Sequence, residues 1–219
     1  MNMSKLRIDY LHDHPEYKVV QHKDMYHFNT DTCLLGEFIK INSGEKVLDI
    51  GTNNGALLVY IINKGGIATG IEINSDAIEI CNLTLKENNL SATIINEDVT
   101  LWQSNQKYDV IVSNPPYFDS KDDAHKSQNE HKKLARHEGT LNLKSLCESI
   151  ARLLKDTGKA YLVYRPSRLT ELEQRLNEVN LYIKEFQLVY DTRKKEAKSV
   201  LVEITFEKVE KNQLEDKFI

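Results

Sequence analysis

The chain has 219 residues, of which 29 are Lys or Arg and 33 Asp or Glu, for a formal charge of −4; 40% are hydrophobic and 28% charged. That composition excludes a disordered or collagen-like chain, and a chain this long buries roughly 70% of the surface it exposes when unfolded, so it needs neither disulfides nor a structural metal. No apolar run approaches the ~20 residues of a membrane-spanning helix and the N-terminus lacks the apolar stretch of a signal peptide, so one cytosolic domain is expected. Cys33, Cys81 and Cys147 are too few and too far apart for a disulfide framework or a zinc site, and read as buried small apolar residues.

Residues 1–40 precede the first main strand and hold a short helix over Asp31 to Lys40. From Lys46 onward strand-like and helix-like segments alternate, the pattern of an α/β fold with a largely parallel sheet. The strands are expected at Lys46 to Ile50, Ile67 to Ile73, Ala92 to Ile95, Tyr108 to Ser113, Lys159 to Tyr164, Ile183 to Tyr190 and Ser199 to Phe206. Ser75 reads as the N-cap of a helix with Asp76 and Glu79 in its first turn, and Ile78, Cys81 and Leu85 as its buried face. Leu143, Leu146, Ile150, Leu153 and Leu154 form a second stripe, with Gly158 as the residue that ends it, and Leu169, Leu172 and Leu176 a third. The last two strands flank the polar segment DTRKKEAK and read as an antiparallel hairpin that closes the sheet.

Three acids stand at successive strand ends. Val47 to Gly55 is an apolar strand that runs into a Gly-containing turn, where backbone amides approach a ligand closely and Asp49 can catch an amine or hydroxyl. The turn lacks the GxGxxG spacing of a dinucleotide fingerprint. Glu72 ends the next strand about twenty residues later, where an acid accepts both hydroxyls of a ribose. Asp98 follows the third strand, placed to bond an adenine amino group. Together they point to a nucleoside site rather than to three helix caps.

Asn114-Pro115-Pro116-Tyr117 follows the fourth strand. The prolines stop the strand and stiffen its exit. An exocyclic amine such as adenine N6 is a poor nucleophile because its lone pair is delocalised into the ring. If the Asn114 side-chain oxygen and the Pro115 carbonyl accept its two hydrogens, the nitrogen pyramidalises and its developing positive charge is met by fixed dipoles. Tyr117 supplies a face on which a flipped base can stack. The rival reading is a rigid strand-to-loop exit. Two basic stretches, 121–137 and 193–198, read by themselves as solvated faces.

These residues resemble a known family. Over nearly its whole length the chain is similar to the bacterial tRNA1(Val) (adenine-37-N6)-methyltransferases, within the class I enzymes that use S-adenosylmethionine. The broad likeness lies in Asp49-x-Gly51, Glu72, Asp98 and Asn114 to Tyr117. The narrower one lies in Gln21 to Asp31 with Leu34-Leu35, in Asn129-Glu130-His131 leading to Ala135-Arg136-His137-Glu138, in Arg165-Pro166 and in Lys195-Glu196-Ala197. The resemblance implies a Rossmann-like seven-stranded sheet, mostly parallel with a C-terminal antiparallel hairpin, in which residues 1–40 pack at the cofactor site. It implies S-adenosylmethionine contacts at Asp31, Asp49, Gly51, Asn53, Gly55, Glu72, Ile73, Asp98, Val99 and Asn114, with no metal, and a base held by Asn114, Pro115, Pro116 and Tyr117. The family usually carries glycine where this chain has Asn53, and Asn is the residue after Gly that best tolerates left-handed φ. In this context Lys126, Lys132, Lys133 and Arg136 become tRNA contacts, and Arg193, Lys194, Lys195 and Lys198 either tRNA contacts or a solvated turn. The alternatives are a protein-glutamine N5-methyltransferase, a guanine-N2 methyltransferase, or an RNA-binding module with a degenerate cofactor site.

Overall fold

The computed structural model of the chain describes residues 3–115, 141–193 and 196–219. Strands β1 (Leu6–Leu11) and β2 (His14–His22) pair as an antiparallel hairpin apart from the main sheet. Helix α1 (Thr30–Phe38) follows, then β3 (Lys46–Ile50), α2 (Ala56–Asn63), β4 (Ile67–Ile71), α3 (Ser75–Glu87), β5 (Thr93–Ile95) and β6 (Tyr108–Ser113). After residues 116–140 come α4 (Leu143–Leu153), β7 (Leu154–Tyr164), α5 (Leu169–Asn177), β8 (Tyr182–Tyr190), β9 (Ala197–Thr205) and two short strands, β10 (Asn212–Gln213) and β11 (Lys217–Phe218).

The main sheet runs β8-β9-β7-β6-β3-β4-β5, with β10 and β11 both pairing to β8 in parallel. Strand β9 alone runs against its neighbours, antiparallel to β7 and β8. The expected seven strands and closing hairpin are therefore present, and β10 and β11 add to them. A parallel sheet needs cover on both faces, and its strands alternate accordingly. Val47, Val110, Val112, Tyr161 and Val163 face a core built with α1, α2 and α3, whereas Leu48, Ile50, Ile111, Leu162 and Tyr164 face one built with α4 and α5. All three cysteines are free and buried. Among the described residues no helix is long and apolar enough to cross a membrane.

Four local expectations are corrected. The N-cap of α3 is Asn74, not Ser75, because the Asn74 side-chain oxygen accepts from Asp76 N at 3.0 Å and Ala77 N at 3.4 Å. Its buried stripe is Ala77, Ile80, Cys81, Thr84 and Leu85, with Ile78 at the margin. Helix α4 passes directly into β7 at Leu154, so Gly158 is not the residue that ends it. Tyr108 pairs with Leu154 and Val110 with Lys159, which leaves Gly158 in an irregular stretch of strand where a Cβ would meet Asp109 O at 2.9 Å. The β1–β2 hairpin has no counterpart among the expected elements.

Helix α1 reaches the sheet by packing on α2, and Gly36 makes that approach possible. A Cβ at Gly36 would lie 2.3 Å from the buried Tyr60 ring. Gly36→Ala should therefore overpack the contact and destabilise the protein by about 1–3 kcal/mol, read as a lower denaturant midpoint with an unchanged slope.

Candidate active site

In a sheet of this order ligands bind beyond the carboxyl ends of the parallel strands, where the connections diverge to opposite sides. Here that point lies between β3 and β6, whose Asp49 and Val112 are register partners. Asp49 lies near the end of β3, and Asn114 follows the end of β6, two residues beyond that pairing. Ser113 ties the strands together there, its hydroxyl donating to Ile50 O at 2.8 Å.

The turn after β3 uses three left-handed residues: Gly51 at φ 74°, Asn53 at φ 47° and Gly55 at φ 79°. At Gly55 the requirement is double, because a Cβ would also meet Cys81 Sγ at 2.8 Å. Asn53 holds the left-handed conformation with a side chain in place, and its backbone N–H donates to Glu72 Oε2 at 3.0 Å. The other Glu72 oxygen accepts from Asn74 N at 2.9 Å. The turn is therefore built with Asn at this position.

Asp49 is completely buried. Its Oδ2 accepts from Thr52 Oγ1 at 2.6 Å, while Oδ1 has no partner among the described residues. Burial pushes the carboxyl up to about 7, the Thr52 hydrogen bond opposes this, and the nearby Glu72 charge adds to it. Asn54, also buried, leaves Nδ2 without a partner among the described residues. The same turn therefore holds one unmet acceptor and one unmet donor.

At the next strand ends Ile73 is 45% exposed. The Asn96 amide donates to Glu72 O at 2.9 Å and Ile73 O at 3.0 Å. Asp98 Oδ1 accepts from Thr100 N and Thr100 Oγ1 at 2.9 and 2.7 Å. Val99 puts its side chain into the core, and its carbonyl accepts from Arg152, which also donates to Trp102 O, at 2.7 and 2.8 Å. Asp31, in the first turn of α1, is buried and accepts from Ser199 Oγ at 2.5 Å. Within the N-terminal segment the Gln21 oxygen accepts from Phe28 N at 3.1 Å. Asn114 is half-buried and Pro115 buried; the Asn114 Nδ2 donates to Thr32 Oγ1 at 2.9 Å.

Arg193 is exposed in the turn between β8 and β9, and Lys198 is exposed at the start of β9. Tyr164 pairs with Val200, so this turn lies at the sheet edge where β6 and β7 end. Pro116, Tyr117, Lys126, Lys132, Lys133, Arg136, Lys194 and Lys195 lie outside the described residues, as do residues 129–138 of the family likeness. The sequence does not single out Thr32, Asn54, Arg152 or Ser199 for the site: Thr32 and Asn54 sit within polar runs, Arg152 lies in an amphipathic helix and Ser199 at the start of a strand, with no motif spacing to mark any of them.

The raised Asp49 carboxyl sets a pH dependence. The folded state keeps this proton up to about pH 7, whereas an ordinary aspartate loses it near 3.8. The stability it contributes is fully present below the unfolded value and is lost as pH rises through about 7. The ligand-free protein should lose up to about 4 kcal/mol from this source over that window, and Asp49→Asn should flatten the loss, as measured by urea unfolding across pH.

The methyltransferase small domain family matches residues 16–194. The chain is 26% identical to the tRNA1(Val) (adenine(37)-N6)-methyltransferase of Trichodesmium erythraeum, across 91% of this chain and 86% of that protein. It is 29% identical to the protein of the same name from Cytophaga hutchinsonii, across 85% and 79%. In fold it is similar to a ribosomal protein L11 methylase from Lactobacillus delbrueckii subsp. bulgaricus, with a TM-score of 0.59 at 15% identity over 84% of this chain and 82% of that one. A Pyrococcus abyssi tRNA (uracil-54, C5)-methyltransferase gives 0.60 at 16% identity over 92% and 44%. With a family model that spans Asp49, Glu72, Asp98 and Asn114 and most of the chain, the chain belongs to the methyltransferase small domain family and has the class I methyltransferase fold.

Proposed function

We propose that the protein transfers the methyl group of S-adenosylmethionine to N6 of an adenine in tRNA, namely adenine 37 beside the anticodon of tRNA1(Val). The observation that carries the reaction type is Asn114, an amide that follows β6 two residues beyond Val112, the register partner of the buried Asp49, and whose nitrogen is held by Thr32. The choice of tRNA rests on the names of the relatives that match across most of the chain. A tRNA substrate also places the protein in the cytoplasm.

The residues present fit the donor. An α-amino acid carries an ammonium for the unmet Asp49 Oδ1 and a carboxylate for the unmet Asn54 Nδ2. An ammonium at Asp49 holds that carboxyl in its charged form. Each Glu72 oxygen accepts one backbone N–H and keeps a further lone pair for a ribose hydroxyl. Ile73 offers an exposed apolar face to an adenine ring, and Asp98 a carboxylate to its amino group. When bound, S-adenosylmethionine supplies an electrophilic methyl group on a sulfonium.

The protein's part in the transfer is to make the amine nucleophilic. Asn114 Oδ1 and the Pro115 carbonyl accept the two N6 hydrogens, which turns the nitrogen lone pair out of the ring plane, and the same dipoles stabilise the charge that develops on nitrogen. The methylated nitrogen then loses a proton to water. Tyr117, by its place in the sequence, provides the stacking face.

Asn114→Ala should keep its affinity for S-adenosylmethionine and lose turnover by about 10²–10³-fold. Calorimetry and methylation of unmodified tRNA1(Val) transcript measure the two, and near-normal turnover would remove Asn114 from the mechanism. Mapping N6-methyladenosine by mass spectrometry in tRNA from cells with and without the gene tests the position. Replacing Arg193 and Lys198 together by Ala should weaken tRNA binding and reduce its salt dependence by up to ~0.7–0.9 log units per lost phosphate contact, with donor affinity unchanged; an unchanged salt slope would return the β8–β9 turn to solvent.

A further inference from the structure

The chemistry assigned to Asn114 depends on which end of its amide faces the substrate. A primary amide has an accepting oxygen and a donating NH₂ that exchange places on a half-turn and differ little in shape. With the oxygen toward the substrate, Asn114 accepts a hydrogen from the amine. With the nitrogen toward it, two N–H groups confront the hydrogens of the amine and the acceptor is lost. The site therefore needs something that tells the two ends apart.

Thr32 provides that distinction. The Asn114 Nδ2 donates to Thr32 Oγ1 at 2.9 Å, so the amide nitrogen is turned toward α1 and the oxygen away from that contact. The Thr32 hydroxyl is itself committed by the capping box of α1. Asn29 N donates to Thr32 Oγ1 at 3.4 Å, and the hydroxyl hydrogen is directed at Asn29 Oδ1, also at 3.4 Å. Asn29 Oδ1 accepts from Thr32 N at 3.2 Å as well. A hydroxyl has one hydrogen, and here Asn29 takes it, which leaves lone pairs for Asn114. A flipped Asn114 would press its oxygen on the Thr32 oxygen unless that hydrogen left Asn29. Thr32 is only 5% exposed, so water is poorly placed to relieve the clash, and an unmet polar atom in such surroundings is costly.

We propose that Thr32, through the capping box of α1, is a positioning residue that holds the Asn114 amide with its oxygen toward the substrate amine. The inference rests on the role given to Asn114 above. It assigns a second task to a helix cap, a feature that ordinarily serves only the stability of its own helix.

Thr32→Val keeps the branched shape and removes the acceptor. Its single-turnover rate on unmodified tRNA1(Val) transcript should fall by about 3- to 10-fold, the loss of one neutral hydrogen bond expressed as a rate, while calorimetric affinity for S-adenosylmethionine stays within twofold. Thr32→Ser restores the hydroxyl and should restore the rate. A merely structural role would lower the melting temperature without this split. In an Asn114→Ala background Thr32→Val should cost nothing further, because there is no amide left to orient. Should Thr32→Val not fold, Thr32→Ala carries the same expectations. A wild-type rate in the folded Thr32 variant, or an equal loss with and without Asn114, would overturn the positioning role while leaving the Asn114 mechanism standing. Near-normal turnover by Asn114→Ala alone would overturn both.

Discussion

Much of the site depends on a single carboxylate. Glu72 accepts from the backbone of Asn53 on one side and of Asn74 on the other, so it joins the turn after β3 to the start of α3. Hydrogen bonds to a charged acceptor are among the stronger ones a protein makes. Similar ties continue along the edge, from the Asn96 amide to the β4 exit and from Arg152 to the carbonyls of Val99 and Trp102. The strand ends are therefore braced by polar side chains before any ligand arrives, which is the preorganisation that a nucleoside site requires. The identity of residue 53 matters less than its conformation, since what Glu72 receives is a backbone N–H.

The same edge also holds a local conflict between stability and function. A carboxyl with no exposure and one unpartnered oxygen would be removed by any sequence selected for stability alone. Its retention makes sense when a cation completes it. The neighbouring Asn54 amide carries the opposite deficit, and the two together describe a zwitterion better than either describes a simple ion.

The main sheet was legible because its strands are buried on both faces and read as nearly continuous apolar runs, with Val110 to Val112, and Val47 to Ile50 interrupted only by Asp49, as the clearest cases. The acids were legible because each lies at or just past the end of such a strand, Asp49 one residue before the end of β3, Glu72 directly after β4 and Asp98 shortly after β5. The hairpin of β1 and β2 was not, for physical reasons. Ile8 and Tyr10 alternate correctly but are 45% and 55% exposed, and the buried residues of β2, Val19 to His22, are consecutive rather than alternating, so no period-two face gives the pattern away. His12 and Asp13 turn the chain without Gly or Asn, and Pro15 near the start of β2 argues against a strand there. The onset of β7 was hidden by Lys155 to Gly158, a polar run that reads as a loop. Within the site, Thr32 and Ser199 escaped notice because their partners, Asn114 and Asp31, are 82 and 168 residues away in the chain, and no local spacing encodes such contacts.

The short strands β10 and β11 have a consequence for how the molecule meets its own copies. An open sheet exposes a row of unpaired N–H and C=O groups at each border, an invitation to stack with other chains. Here the chain doubles back along β8, with Asn212 opposite Glu185 and Lys217 opposite Val189, and Phe218 stacks on Tyr190 at 5.4 Å between ring centres. The opposite border is β5, only three residues long. One border is occupied by the molecule itself and the other is too short to template a neighbour, so among the described residues neither border offers a long unpaired strand.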